Sequence, residues 1–231
     1  MKDKFEIPIA LRATSRRILG SITPHLCNDN ISEYMQKGDL KEIEENVEHK
    51  IEELLEALLL DWRRDHNMKD TPKRVAKMFI HEIFRGRYYS TPKMTAFPNV
   101  KKYDQLYAVG PIDVKSTCAH HLLPFTGRAY IGLLLDEKSK ICGLSKFNRI
   151  VDHFARRPQI QEELTAQIAN DLKAILKPKG LIVLIKAKHM CMCVRGVNQN
   201  SDFTTSIALD AMRDNSSLKD EFFSLIGNMS L

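Results

Sequence analysis

Residues 105–136 read QLYAVGPIDVKSTCAHHLLPFTGRAYIGLLLD. The flanks QLYAVGPIDVKS and GRAYIGLLLD are rich in β-branched and aromatic residues, which predicts two strands. Between them, STCAHHLLPFT predicts a long, shaped connection carrying a thiol and two adjacent imidazoles. Cys118 and His121 are three residues apart, a step that sends side chains to opposite faces of a flat strand. A turn or bulge would bring them together, and the Cys-x-x-His spacing then suits zinc. His120 would point elsewhere, free for other work. Taken alone, the motif reads equally well as a core thiol beside two surface imidazoles.

Downstream, LSKFNRIVDHFARR carries Leu144, Phe147, Ile150, Val151 and Phe154 at helical spacing. After Pro158 the period repeats through Ile160, Leu164, Ile168, Leu172, Ile175 and Leu176, predicting a second helix that stops at Gly180. LIVLIKAKHMCMCVRG and FTTSIAL read as strands. The order of this part is therefore ββααββ. Upstream, residues 38–67 place Leu40, Ile43, Val47, Ile51, Leu54, Leu55, Leu58, Leu59 and Trp62 at steps of three and four. That pattern predicts one long amphipathic helix. DTPKRVAKMFIHEIFRG follows, with Thr71 as N-cap, Pro72 in the first turn and Gly86 as the stop. Residues 1 to about 38 have weak periodicity and read as an arm or irregular helix. The expected division is an N-terminal arm and helices over 1–89 and a single domain over 90–231.

The chain has 231 residues, 43% hydrophobic and 28% charged, the profile of an ordinary globular protein. No apolar run approaches the ~20 residues of a membrane span. The N-terminus MKDKFEIPIALRATSRR lacks the apolar core of a secretory signal, which points to a cytoplasmic protein. Five Cys in such a chain read as buried thiols or metal ligands rather than a disulfide framework. The net charge of +6 suits an anionic partner. No basic stripe is interleaved with aromatics, which argues against nucleic acid.

A second cluster, His189-Met190-Cys191-Met192-Cys193, would place His189, Cys191 and Cys193 on one face if the segment were a strand, with Met190 and Met192 as core. Two His/Cys groups in one domain make a shared metal site more probable than either alone. Cys118, His121 and Cys191 would leave a coordination position open, as in catalytic zinc. Adding Cys193 would close the shell, as in structural zinc. Spacing permits both. A third cluster, Ser145-Lys146-Phe147-Asn148-Arg149, opens a predicted helix, where an anion is favoured. Arg195 could join it; Arg156 and Arg157 read as a solvated basic face.

STCxHHLLPF, CGLSKFNRIVDHFARRPQIQEELT and HMCMCVRG, in this order, resemble GTP cyclohydrolase I, and the upstream TPKRVAKMF stretch matches too. The resemblance runs from about residue 40 almost to the C-terminus. It implies an α+β T-fold: a ββααββ antiparallel sheet with two helices on one face, preceded by a helical region and assembled into a ring-shaped homodecamer. It implies Zn2+ bound by Cys118, His121 and Cys191, activating water to open the guanine imidazole ring of GTP. Formate would leave, and the product would be 7,8-dihydroneopterin triphosphate. His120 would carry protons, with His189 assisting. Gln161 and Glu162 would read the guanine edge. Ser145, Lys146, Arg149 and Arg195 would hold the ribose and triphosphate, with Arg74 and Lys77 contributed by a neighbouring subunit. The family has Glu between the Cys and the first His, where this chain has Ala119. A purine- or pterin-binding T-fold protein with weakened catalysis is therefore the rival reading.

Overall fold

The computed structural model describes residues 13–20 and 25–229. Residues 1–12 and 21–24 of the expected N-terminal arm lie outside them. The chain divides into two compact units, residues 1–90 and 91–231.

The N-terminal unit holds helices α1 (Ala13–Leu19), α2 (Asp39–Ala57), α3 (Thr71–Met78) and α4 (Arg85–Tyr88). The predicted long helix is shorter than its hydrophobic period. Leu59 adopts a left-handed φ of 59°. Leu60 N–H bonds back to Leu55 O and Leu59 N–H to Glu56 O. These paired bonds form a Schellman closure, and they end α2 although Leu stands where Gly is usual. The next helix starts one residue off the expected cap: Asp70 is N-cap, and Thr71 is the first helical residue. Nor does Gly86 stop it. A π-helical turn over Phe79–Ile83 intervenes, and Gly86 is buried within α4. Asn30 Nδ2 donates to Gly86 O at 2.8 Å, and Arg87 Nη1 donates to the carbonyls of Leu26, Cys27 and Asp29.

The second unit contains strands β1 (Ala96–Pro98), β2 (Leu106–Cys118), β3 (Pro124–Leu134) and β4 (Lys140–Cys142), then α5 (Ser145–Ala155) and β5 (Pro158–Gln159). There follow α6 (Gln161–Leu176), β6 (Gly180–His189), α7 (Met190–Cys193), β7 (Asp202–Asp210), α8 (Ala211–Asp214) and α9 (Ser216–Gly227). The main sheet runs β5-β2-β3-β6-β7. Its four long strands are antiparallel, as the T-fold requires; β5 adds a two-residue parallel edge beside Thr117 and Cys118. β1 and β4 form a small separate pair that the sequence pattern did not announce.

Alternation along the strands separates two cores. Ile112, Val114, Phe125, Ala129, Ile131, Leu133, Leu181, Val183 and Ile185 face Phe147, Ile150 and Val151 of α5 and Leu164, Ile168 and Leu172 of α6. The opposite face, with Tyr130, Leu134, Ile182 and Leu184, is covered by Phe222 and Ile226 of α9. A Cβ on Gly132 would stand 2.6 Å from the Phe222 ring, so glycine is what lets α9 lie this close. The two central helices do share a face. α9 and its role on the other face were not read from the sequence.

Three further boundaries move. β2 continues through Ser116-Thr117-Cys118, so the connection to β3 is the short segment 119–123 rather than a long loop. α6 ends at Leu176 with Lys177 left-handed at φ 49°, and Gly180 opens β6 instead of stopping the helix. Residues 190–193 form a helical turn, not a strand.

Candidate metal centre and cavity

Strand parity decides what meets at the end of the α5/α6 face. Counting from Ile112 and Val114, the same side of β2 ends in Ser116 and Cys118. Counting from Leu181 and Val183, the same side of β6 ends in His189. The register pairs Phe125 with His189, whose rings stack at 4.5 Å and 8°. Phe203 of β7 meets the imidazole edge-on at 5.9 Å. Neither aromatic was foreseen as part of the site. Phe125 fell in the expected connection STCAHHLLPFT, and Phe203 opened a strand; cross-strand register was the missing information.

The 119–123 connection is a tight turn. Leu122 N–H bonds to Cys118 O at 2.9 Å, Cys118 N–H to Leu123 O at 2.9 Å, and Leu122 takes a left-handed φ of 53°. Ala119 N–H donates to Gln159 O at 3.1 Å, tying the turn to β5. The turn brings His120 Nδ1 to 3.8 Å from Cys118 Sγ. His121 lies in the same cavity wall, where its Nε2 accepts from Arg195 Nη1 at 2.8 Å.

Cys118, His189 and Cys191 each offer a donor atom, and the three atoms lie within 4.8 Å of one another. Donors on one zinc-sized ion sit about 3–4 Å apart, given bonds of about 2.0–2.3 Å. Two thiols and an imidazole are also the soft and borderline donors such an ion prefers. The set therefore fits a single metal ion. Burial, then the neighbouring Cys118 thiol, push the Cys191 thiol upward in pKa. Two thiols held together oppose each other's ionisation, and a cation between them reverses that penalty. Cys193 stands apart. Two residues on a helical turn rotate the side chain by about 200°, and Cys193 Sγ instead faces Asn200 Oδ1 at 4.0 Å. Met192, expected in the core, is 41% exposed and lines the cavity.

The cavity measures about 590 Å³ and is walled by Cys118, His120, His121, Gln161, Glu162, His189, Cys191 and Arg195, among others. Gln161 and Glu162 open α6, so the helix N-terminus abuts the site. Glu162 is exposed, whereas Gln161 is fully buried. The Gln161 amide is already engaged. Its Nε2 donates to Ile185 O at 3.0 Å, Phe203 O at 3.1 Å and Thr205 Oγ1 at 3.1 Å, while its Oε1 faces His189 Nε2 at 2.9 Å. Burial, the largest influence, lowers the His189 pKa and favours the neutral ring.

Ser145, Lys146 and Arg149 are not among the residues lining this cavity. Ser145 and Arg149 are exposed at the start of α5, and Lys146 Nζ donates to Lys93 O at 3.4 Å. Arg74 and Lys77 are exposed on α3 of the N-terminal unit, with Arg74 paired to Asp70. Arg156 is paired with Asp152 at 3.1 Å. Arg157 contradicts its reading as a solvated residue. It is 4% exposed, lies 4.7 Å over the Phe154 ring and donates to His153 Nε2 at 2.7 Å. A planar guanidinium can be buried when stacked and hydrogen-bonded in this way.

The fold and the donor cluster define a T-fold protein whose thiol–imidazole cluster, at the end of its sheet, fits a metal ion. Sequence comparison supplies the family. The GTP cyclohydrolase I profile matches residues 47–227. The chain is 42% identical over 166 residues to GTP cyclohydrolase 1 of Aeromonas salmonicida (strain A449), covering 71% of this chain and 75% of that one. It is 41% identical over 182 residues to the Shewanella loihica (strain ATCC BAA-1088 / PV-4) protein of the same name, covering 78% and 84%. For the Sulfurihydrogenibium sp. (strain YO3AOP1) protein the identity is 42% over 183 residues, covering 79% and 94%. The chain belongs to the GTP cyclohydrolase I family. No helix among the described residues is long and apolar enough to cross a membrane.

Proposed function

We propose that this chain opens the guanine imidazole ring of GTP, releasing formate and leading to 7,8-dihydroneopterin triphosphate. The observation that carries the reading is the Cys118–His189–Cys191 cluster on the wall of a cavity that Glu162 and Arg195 also line. Cys118 and Cys191 would hold Zn2+; the family resemblance makes His121 the third ligand, a residue that lines the same cavity but stands outside the observed donor set, where His189 takes the third place. Bound zinc supplies Lewis acidity and a nucleophilic water at neutral pH. Neutral His189 is suited to accept a proton, and exposed His120 to exchange one with solvent. Glu162 can accept from two guanine N–H groups at once. Arg195, one wall of the cavity, can pair with a phosphate oxygen. Ser145, Lys146, Arg149, Arg74 and Lys77 would complete the triphosphate site from another subunit of a ring-shaped assembly; Ser145, Lys146 and Arg149 are not among the residues that line the cavity with Glu162. Incubation with GTP and zinc should yield formate and a fluorescent pterin together. GTP binding with neither product would reject the reaction and leave a binding protein.

Glu162→Ala should raise KM for GTP by about thirtyfold, equivalent to about 2 kcal/mol for base donors left unpaired. Zinc content should not change. Wild-type protein should also prefer GTP to ITP, whose base lacks the exocyclic amine; equal turnover of the two would remove Glu162 from base recognition.

Ala119 bears on the rival reading. Its backbone is pinned to Gln159 O, and its side chain is half-exposed between a thiol of the cluster and His120. Ala119→Glu should leave zinc content unchanged and speed single-turnover formate release by about tenfold, the scale on which groups supporting a metal site act. Equal rates at equal zinc would show that position 119 is silent.

A further inference from the structure

We propose that Gln161 is a positioning residue that acts through His189, rather than a reader of the base. The inference deepens the proposed function and rests on it only for its kinetic arm. Gln161 is 0% exposed, so its amide has no solvent to turn toward. Its orientation is fixed by what surrounds it. Ile185 O and Phe203 O are carbonyls and can only accept, so the group facing them must be the NH2. The Oε1 atom is thereby committed to His189 Nε2 at 2.9 Å, and an amide oxygen can only accept. His189 must then carry its proton on Nε2, which leaves Nδ1 as the one lone pair of the neutral ring.

The ring plane is held as firmly as the tautomer. Phe125 stacks on one face at 4.5 Å, and Phe203 meets it edge-on. The chain of constraint starts in the sheet. β6 supplies Ile185 O, β7 supplies Phe203 O and Thr205 Oγ1, and Thr205 Oγ1 is itself paired to Thr165 Oγ1 at 2.7 Å. Thr165 Oγ1 donates to Gln161 O at 2.8 Å, one turn along α6. The first residue of α6 is thus clamped by two strands and hands their geometry to the imidazole. With both amide protons engaged and the residue 0% exposed, reading of a guanine edge falls to exposed Glu162.

The test is nitrogen-15 magic-angle-spinning spectroscopy of histidine-labelled protein, with His189 assigned by its loss in His189→Gln. Wild type should show a protonated Nε2 and an unprotonated Nδ1. Gln161→Met should replace that single state by a mixture of both tautomers. With GTP it should lower kcat at least tenfold while KM stays within threefold, the split expected for a group that orients a reacting residue. Gln161→Glu keeps an acceptor for Nε2–H, so it should retain the single tautomer and recover part of kcat; it decides the matter if Gln161→Met does not fold. An unchanged tautomer in Gln161→Met, a mixed one in folded Gln161→Glu, or a raised KM with unchanged kcat would overturn the proposal. Wild-type protein that turns over no GTP would reject the proposed function instead, and the nitrogen spectrum would still test the positioning.

Discussion

Cys191→Ala is expected to abolish metal binding and GTP turnover together, whereas Cys193→Ala retains both. Zinc in the wild-type protein should approach about one ion per chain. The two cysteines are close in sequence and share a thiol, so composition alone cannot separate them. The turn over Met190–Cys193 does: Cys191 joins Cys118 and His189, and Cys193 turns to Asn200. Removing one of three ligands leaves a two-donor site whose affinity falls by orders of magnitude, and the unfilled site has no second thiol within the cluster to recruit. The imidazoles extend the test. His121→Ala should lose zinc, and His189→Ala should keep it while losing turnover. Elemental analysis after dialysis against a weak chelator reads all four variants. Loss of zinc from Cys193→Ala with retention in Cys191→Ala would reverse the assignment. Loss from His189→Ala with retention in His121→Ala would make His189 the third ligand.

Phe125→Ala is expected to destabilise the protein by about 3–5 kcal/mol, the range for a fully buried Phe reduced to Ala. Phe125 is 0% exposed, belongs to the α5/α6 core and stacks on His189. Its loss opens a void between β3 and the site, and the neighbouring Gly127 cannot help fill it. A Cβ at 127 would lie 2.0 Å from Lys186 O, so the strands already touch there. Urea titration should show a lower midpoint at unchanged slope. Phe125→Leu, which keeps most of the volume, should recover more than half of the loss in stability while lacking the ring stack. A midpoint unchanged in Phe125→Ala would mean that the core does not extend beneath His189.

The strands were legible because their segments are rich in β-branched, aromatic and other apolar residues. Their faces were not: Leu181–Ile185 is apolar throughout, and Ile182 and Leu184 pack in the core opposite to that of Leu181, Val183 and Ile185. The helices α5 and α6 were legible from their 3.6-residue period. Other features depended on partners distant in sequence. Leu58 and Leu59 continue the apolar period of α2, so nothing local says that Leu59 turns left-handed. MCMCV holds no Gly or Pro, so the turn after His189 appears only when Gln199 N–H is seen to bond Met192 O at 3.1 Å. α9 had a readable start, since Asn215 accepts from Ser217 N–H as an N-cap, and Phe222 and Ile226 are one turn apart. Of the site, residue types were visible in the motifs, but their meeting was not. The roles of Phe125, Phe203 and the Gln161 amide exist only in the register of β3, β6 and β7.

The order of the strands also sets when the cavity can come into being as the chain folds. β2 and β3 are joined by the short turn 119–123, so their hairpin closes a small loop. β3 and β6 are equally adjacent in the sheet but are separated by residues 135–179, a stretch about nine times longer. The extra closure entropy is about 2 kcal/mol, scaling with the logarithm of that ratio. The hairpin carries Cys118, His120 and His121. Gln161, His189 and Cys191 arrive only after α5 and α6 have packed and β6 has docked. A nascent or partly refolded chain therefore holds only Cys118, His120 and His121 of the cavity wall early and cannot complete it until the long-range pairing forms, which makes recovery of the finished site a late milestone on the refolding path.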